Sequence, residues 1–171
     1  MPTIVDGSTG VDTSTYKKEG FDSLQTLQVV RTDDGGVATG TTTIPLDDTI
    51  PQNTEGTEFI TVTITPKSAS SILEITASVM VSPSNINWII AALFKDSDAS
   101  AIAAVYGYQT AATGGEFYSL KVRLASGGTS AITFKIRAGS PTASTVTFNG
   151  TSGNPKFSGV SNSFIEVREI L

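Results

Sequence analysis

The sequence contains no cysteine and no histidine. Those absences remove thiol nucleophiles, disulfide staples, zinc sites of the usual ligand types and the commonest general base at neutral pH. Charge is scarce too, with Asp, Glu, Lys and Arg supplying 16% of residues, where about 25% is usual. No window reaches the roughly 18 apolar residues that a membrane-spanning helix needs. The start, MPTIVDGSTG, also lacks the basic stretch and apolar core of an export signal. The expectation is a soluble chain without an export signal and without membrane partners.

What is present in quantity is hydroxyl: Ser and Thr together number 45 of the 171 residues, and Thr favours strands. A surface made polar by hydroxyls is cheap to bury, because little ionic desolvation opposes contact, so composition alone favours self-association. The length allows one ordinary domain and an appendage. The charge of −5 is divided unevenly, residues 1–58 holding three basic against ten acidic residues and residues 59–171 eight against six. An acidic first third repels phosphates and argues against nucleic acid.

From residue 58 onward the pattern is strand after strand. EFITVTITP (58–66) alternates strictly, with Ile60, Val62 and Ile64 on one face, and Pro66 stops it. ILEITASVMV (72–81) puts Leu73, Ile75, Ala77, Val79 and Val81 on one face. NINWIIAALFKD (85–96) is apolar on both faces, which reads as a central strand covered on its outer side as well. AIAAVYGYQ (101–109), FYSLKVRLA (117–125), AITFKIRAG (131–139), STVTFNG (144–150) and SFIEVREIL (163–171) follow, separated by Gly-rich turns. Short strands at steady spacing make an all-β fold, a jelly-roll β-sandwich over residues 37–171. Residues 1–36 scatter Ile4, Val5, Val11, Tyr16 and Phe21 among Gly, Asp, Ser and Thr without a sustained period. They read as an extended N-terminal attachment arm that orders on a partner, with LQVVRT (27–32) open as either a short strand or part of a helical turn.

Candidate chemistry is sparse. Asp47 and Asp48 sit between two Ile-Pro units; neighbours on an extended chain point to opposite faces, so the pair reads as a polar bend and not as a catalytic dyad. Asp96-Ser97-Asp98 resembles half a calcium loop but lacks its Gly and its closing Glu, and reads as a hairpin turn; Asp33-Asp34-Gly35-Gly36 is a turn signal. Asn149-Gly150-Thr151 matches a glycosylation acceptor in form and reads better as a turn. No Ser or Thr has a histidine to activate it, and no nucleophile elbow or phosphate-cradling loop occurs. Near strands, only Glu74, Glu116, Glu166 and Glu169 are available for glycoside chemistry. Lys121, Arg123, Lys135 and Arg137 alternate on two strands and would form a basic docking stripe if those strands are neighbours, suited to an anion, a glycan or an acidic arm. Trp88, Tyr106, Tyr108, Phe117 and Tyr118 read as core or subunit interface, with a sugar-stacking platform as the alternative.

VATGTTTIPLDDTIPQNTEGTEFITVTITPKSASSILEI, NWIIAALFKDSDASAIAA, TFKIRAG, TFNGTSG and KFSGVSNSFIEVREI resemble a domain of bacteriophage virion proteins, of tail-fibre or minor structural type, from about Val37 to Leu171. The opening VDGSTGVD is similar to the start of many phage structural proteins. The resemblance implies a jelly roll similar to C1q and tumour-necrosis-factor modules, homotrimeric, without catalysis or cofactor, made in the host cytoplasm and carried on a virion. In that reading the arm fastens through Ile4, Val5, Val11, Tyr16 and Phe21 to the major capsid protein or another virion protein, and the jelly roll decorates or cements the capsid. The alternative is a receptor-binding tip of a tail fibre, with a host-surface glycan as its ligand.

Overall fold

Strict alternation of apolar and polar side chains builds the interior. In the computed structural model, which describes residues 25–171, strand β3 (Thr57–Ile64) buries Ile60, Val62 and Ile64, and β4 (Ile72–Pro83) buries Leu73, Ile75, Ala77, Val79 and Val81 completely. Each of these side chains except Ala77 contributes about 1.5 to 3 kcal/mol relative to exposure. The remaining strands are β1 (Thr26–Asp34), β2 (Ala38–Gly40), β5 (Asn87–Lys95), β6 (Ala103–Gln109), β7 (Glu116–Ala125), β8 (Ile132–Gly139), β9 (Val146–Phe148), β10 (Gly150–Thr151), β11 (Asn154–Pro155) and β12 (Ser163–Ile170).

Two antiparallel sheets enclose the core. The first runs β1-β12-β4-β9-β2, with β7 on the other edge of β4, and the second runs β3-β8-β5-β6. Strand β4 is long enough to pair with β12 over its first half and β9 over its last three residues along one edge, while β7 lines the other. The inward rows of the two sheets meet in one cluster that includes Ile75, Val79, Ile89, Leu93, Phe134, Ile136, Phe148 and Val167. This is the jelly-roll β-sandwich that the alternating segments imply. Strands β10 and β11 form a small ribbon whose turn residues, Ser152 and Gly153, both take positive φ, as a two-residue hairpin loop requires.

The expected boundary at residue 36 falls inside this fold. Thr26–Asp34, assigned from sequence to the arm, is a strand paired with β12 from Thr26↔Ile170 to Asp34↔Ser163, with one bulge near its start. The physical reason is the edge that β12 would otherwise expose. Only Val30 of β1 packs against the core, so its sequence carries little alternation to announce it.

The outer side of β5 explains the run that is apolar on both faces. Ile90, Ala92 and Phe94 point away from the core cluster, yet all three are buried. The connection 41–56 crosses that side as a strap. Ile44, fully buried, bonds through its amide to the Ser140 carbonyl at 3.1 Å, and Arg137 on β8 donates to the carbonyls of Glu55 and Gly56, both at 2.8 Å. Gly139 lies directly beneath, opposite Ile90 in the register; a Cβ there would sit 2.6 Å from the Thr42 carbonyl oxygen and 3.0 Å from Ile44. Only glycine lets the strap backbone approach so closely. Gly139→Ala should therefore lift the strap and destabilise the protein by about 1 to 3 kcal/mol, readable as a lower urea midpoint; an unchanged midpoint would show that the strap contributes nothing.

Candidate functional site

The four basic residues expected to form one stripe do not meet. Lys121 and Arg123 lie on β7 in the first sheet, Lys135 and Arg137 on β8 in the second, and both pairs point outward from opposite sides of the sandwich. Each pair straddles a carboxylate. Arg123 Nε donates to Glu74 at 2.7 Å with Lys121 3.5 Å from the same group, and Glu58 sits 3.3 Å from Arg137 and 3.6 Å from Lys135. Arg123 and, to a lesser degree, Lys121 hold the Glu74 carboxyl below its ordinary range. Alternate spacing located the charges correctly on outward faces; which strands are neighbours was set by long-range pairing that spacing does not encode. The attachment residues Ile4, Val5, Val11, Tyr16 and Phe21 lie outside the described residues.

The aspartate motifs resolve into backbone fasteners. Asp47 Oδ1 accepts from the Thr49 hydroxyl at 2.6 Å and the Thr49 amide at 2.8 Å, and those two bonds lower its pKa. Asp96, at φ 48°, accepts from the Thr133 amide at 2.8 Å while Asp98 closes a turn onto the Lys95 carbonyl. Asp34 Oδ1 accepts from the Gly36 amide at 2.7 Å. Among the described residues no three acidic side chains converge as a metal site.

Asn149 is fully buried with φ 54°, and its amide is occupied on both sides. Nδ2 donates to the carbonyls of Asp34 and Gly36, and Oδ1 accepts from the Ser163 hydroxyl at 2.6 Å. Ser163 Oγ in turn accepts from the Met80 amide at 2.9 Å. The residue reads as a junction of β1, β4, β9 and β12, which no glycan could reach.

Glu169 is the group that sequence reading undervalued. It is fully buried near the end of β12 and is surrounded by neutral donors: the Lys67 amide at 2.8 and 2.9 Å, the Ser68 amide at 3.0 Å, the Ser71 hydroxyl at 2.7 Å and Gln28 Nε2 at 2.7 Å. The Lys67 ammonium is directed instead to the Leu27 carbonyl at 2.9 Å. Burial by itself would raise the carboxyl pKa, but these bonds outweigh it and bring the value down to about 2. The only signal in the sequence was a glutamate between Arg168 and Ile170, at the inward parity of a strand with buried Ile165 and Val167.

The aromatic set divides three ways. Tyr118 is core, its hydroxyl accepting from Gln109 Nε2 at 3.0 Å and its pKa raised by burial. Phe117 is exposed on the outer side of the first sheet. Trp88, Tyr106 and Tyr108 come together on the outer side of the second, where Trp88 faces Tyr108 across the β5–β6 pairing. Their ring centroids lie 4.9 Å (Trp88 to Tyr108) and 5.7 Å (Trp88 to Tyr106) apart, tilted, and the two tyrosines, Tyr106 and Tyr108, are 62% and 48% exposed. Next to them, between the bend 47–51 and the start of β6, lies an open groove of about 440 Å³ lined by Asp47, Asp48, Ile50, Pro51 and residues 101–104.

The model of the Pgp3 C-terminal domain matches residues 46–170. No curated protein matches the sequence. Among solved structures, the Eiger TNF of S. frugiperda overlaps at a TM-score of 0.48 and 9% identity, covering 86% of this chain and 94% of that one. The dimeric latent PorU of Porphyromonas gingivalis overlaps at 0.41 and 14% identity, covering 88% of this chain and 14% of that one. The enzymatically active domain of the bacteriophage CBA120 tailspike protein 4 overlaps at 0.30 and 15% identity, over 72% and 18%.

The Glu169 cluster generates a pH dependence. Its folded pKa is depressed to about 2 from an ordinary 4.5, so the stability it confers is complete above about pH 4.5 and is lost as pH falls from there towards 2. Glu169→Gln places an NH₂ among groups that all donate, and should cost about 2 to 3 kcal/mol at pH 7. Urea unfolding of both proteins from pH 7 to pH 2.5 should show the gap narrowing below pH 4.5; a gap that stays constant with pH would refute the ionised assignment.

Proposed function

The chain belongs to the Pgp3 C-terminal domain family, and from that premise we propose that it is a non-enzymatic structural protein of a bacteriophage virion, a homotrimer of jelly rolls that decorates or cements the capsid. The observation that carries the self-associating part is the family match over residues 46–170, which spans β3 to β12 of the sandwich; domains of the C1q and tumour-necrosis-factor type typically form homotrimers. The virion placement is supported by the resemblance of Val37–Leu171 to phage tail-fibre and minor structural proteins. In this reading the segment preceding β1, with Ile4, Val5, Val11, Tyr16 and Phe21, fastens the protein to the major capsid protein or another virion protein. Three such segments on one trimer raise the effective concentration at each other's sites. The low charge content and the self-paired ionic groups on both outer faces leave surfaces that cost little to desolvate.

A second reading, a receptor-binding tip of a tail fibre, is favoured by the exposed rings of Trp88, Tyr106 and Tyr108, which a pure cement has no evident use for.

Truncation separates these readings, and the fold dictates where to cut. A chain beginning at Gln25 keeps β1; one beginning at Val37 removes it, opens the edge of β12 and takes Gln28 from Glu169. Light scattering should give three copies for the full chain and for the Gln25 chain, and a monomer would refute the trimer. With capsids lacking the protein, only the full chain should bind. Binding by the Gln25 chain would refute the attachment segment, and failure of both to bind, with the Gln25 chain adhering to host cells, would favour the fibre tip. The Val37 chain should aggregate or melt earlier than either.

A further inference from the structure

We propose that the outer face of β5 and β6, together with the groove beside it, docks an extended lysine- or arginine-bearing peptide segment of another protein. The face is continuous. Ala104, Tyr106 and Tyr108 project to the same side of β6 at two-residue intervals, about 7 Å apart, and Ala104 also lines the groove that holds Asp47 and Asp48. A peptide lying along β6 would therefore meet two carboxylates and an apolar floor at one end, and the Trp88 and Tyr108 rings at the other.

Charge complementarity selects the occupant. The groove lining contains two carboxylates and no Lys or Arg, and none of the three ring-bearing positions brings one. The carboxylates of Glu58, Glu74 and Glu166 are different, each having a basic partner within 4 Å, whereas Glu116, exposed at the start of β7 in the other sheet, has no ion pair among the described residues. Among the described residues Asp47 is bonded only to neutral Thr49 groups and Asp48 has no cationic partner. A negative, half-apolar groove fits a side chain with a methylene stem and a positive head, and the neighbouring ring faces attract a second cation. A neutral sugar would use the rings but would draw nothing from the carboxylates. The proposal stands on this geometry and is independent of the virion reading.

Trp88 is the sole tryptophan of the chain, so its fluorescence reports on this face without labelling. The full-length protein would be titrated with a peptide of alternating Lys and Gly, with the Glu-Gly counterpart, and with a neutral oligosaccharide. The expected result is a saturable change in emission with the lysine peptide alone, reduced by salt. It should weaken roughly tenfold or more in the double variant Asp47→Asn with Asp48→Asn, and be lost in Tyr106→Ala. The Asp47→Asn change retains a side-chain oxygen to accept from Thr49, so the bend should persist, and an unchanged melting temperature would verify it. Four results would overturn the proposal: no saturable change with the lysine peptide, an equal response in the double variant, an equal response to the glutamate peptide, or a response to the oligosaccharide alone. An emission shift produced by protein concentration alone would also overturn it, making the face a contact between copies of this chain.

Discussion

One buried carboxylate fixes how the two ends of the described fold meet. Glu169 sits where β1, β12 and the turn after β3 converge, and its oxygens accept from Gln28, from the Lys67 and Ser68 amides, and from Ser71. A buried anion without a cation is tolerated only when donors replace its water. That requirement dictates the path of residues 67–71, whose amides must turn inward, and the position of β1, whose Gln28 completes the shell. It also places the β1 bulge, since Thr26 and Gln28 are out of step in the pairing while the Lys67 ammonium holds the intervening Leu27 carbonyl. Asn149 repeats the device at the other end of β1, with its amide on the Asp34 and Gly36 carbonyls. The edge strand is pinned at both termini by polar networks because it has little apolar content of its own.

The two outer faces are finished differently. Apart from the exposed Phe117 and Val29, the first sheet presents short hydroxyl side chains and carboxylates neutralised by arginine and lysine, as at Glu74 and Glu166. The second is half covered by the strap 41–56, which buries Ile90, Ala92 and Phe94, and where the strap stops the rings of Trp88, Tyr106 and Tyr108 emerge. The apolar excess of β5 is thus used twice, inward for the core and outward for the strap. The bend at Asp47 and Asp48 is the margin of that cover, which is why a polar turn comes to border a groove.

The body strands were legible because alternation is local: the inward rows of β3 and β4 could be read directly from residues 58–81, and the double-sided β5 correctly implied an outer cover. What failed was everything that depends on partners distant in sequence. Strand β1 was assigned to the arm since its stability comes from β12, more than a hundred residues away, and not from its own pattern. Lys121, Arg123, Lys135 and Arg137 form one stripe only if β7 and β8 are neighbours, and that condition fails, because adjacency in sequence does not make two strands adjacent in a sheet. Glu169 gives no signal beyond its inward parity on β12, as most of its donors are backbone amides and a serine, groups that carry no signature until a loop folds around them. The aromatic residues needed the β5–β6 register before Trp88 and Tyr108 could be recognised as a pair.

The place of β12 between β1 and β4 has a consequence for biosynthesis. The first described strand to leave the ribosome, β1, has no strand partner until residues 163–170 have been made, and the first half of the long strand β4 meanwhile lacks its neighbour on that side. Closing such a distant contact is slow, and it leaves open strand edges exposed while it is pending. The bulge at the start of β1 and the charged Arg31 and Asp33 on its outward side are features that discourage stray pairing during that interval. The order of strands thus sets a waiting time in translation, with the nascent chain protected by its edge residues until the partner strand arrives.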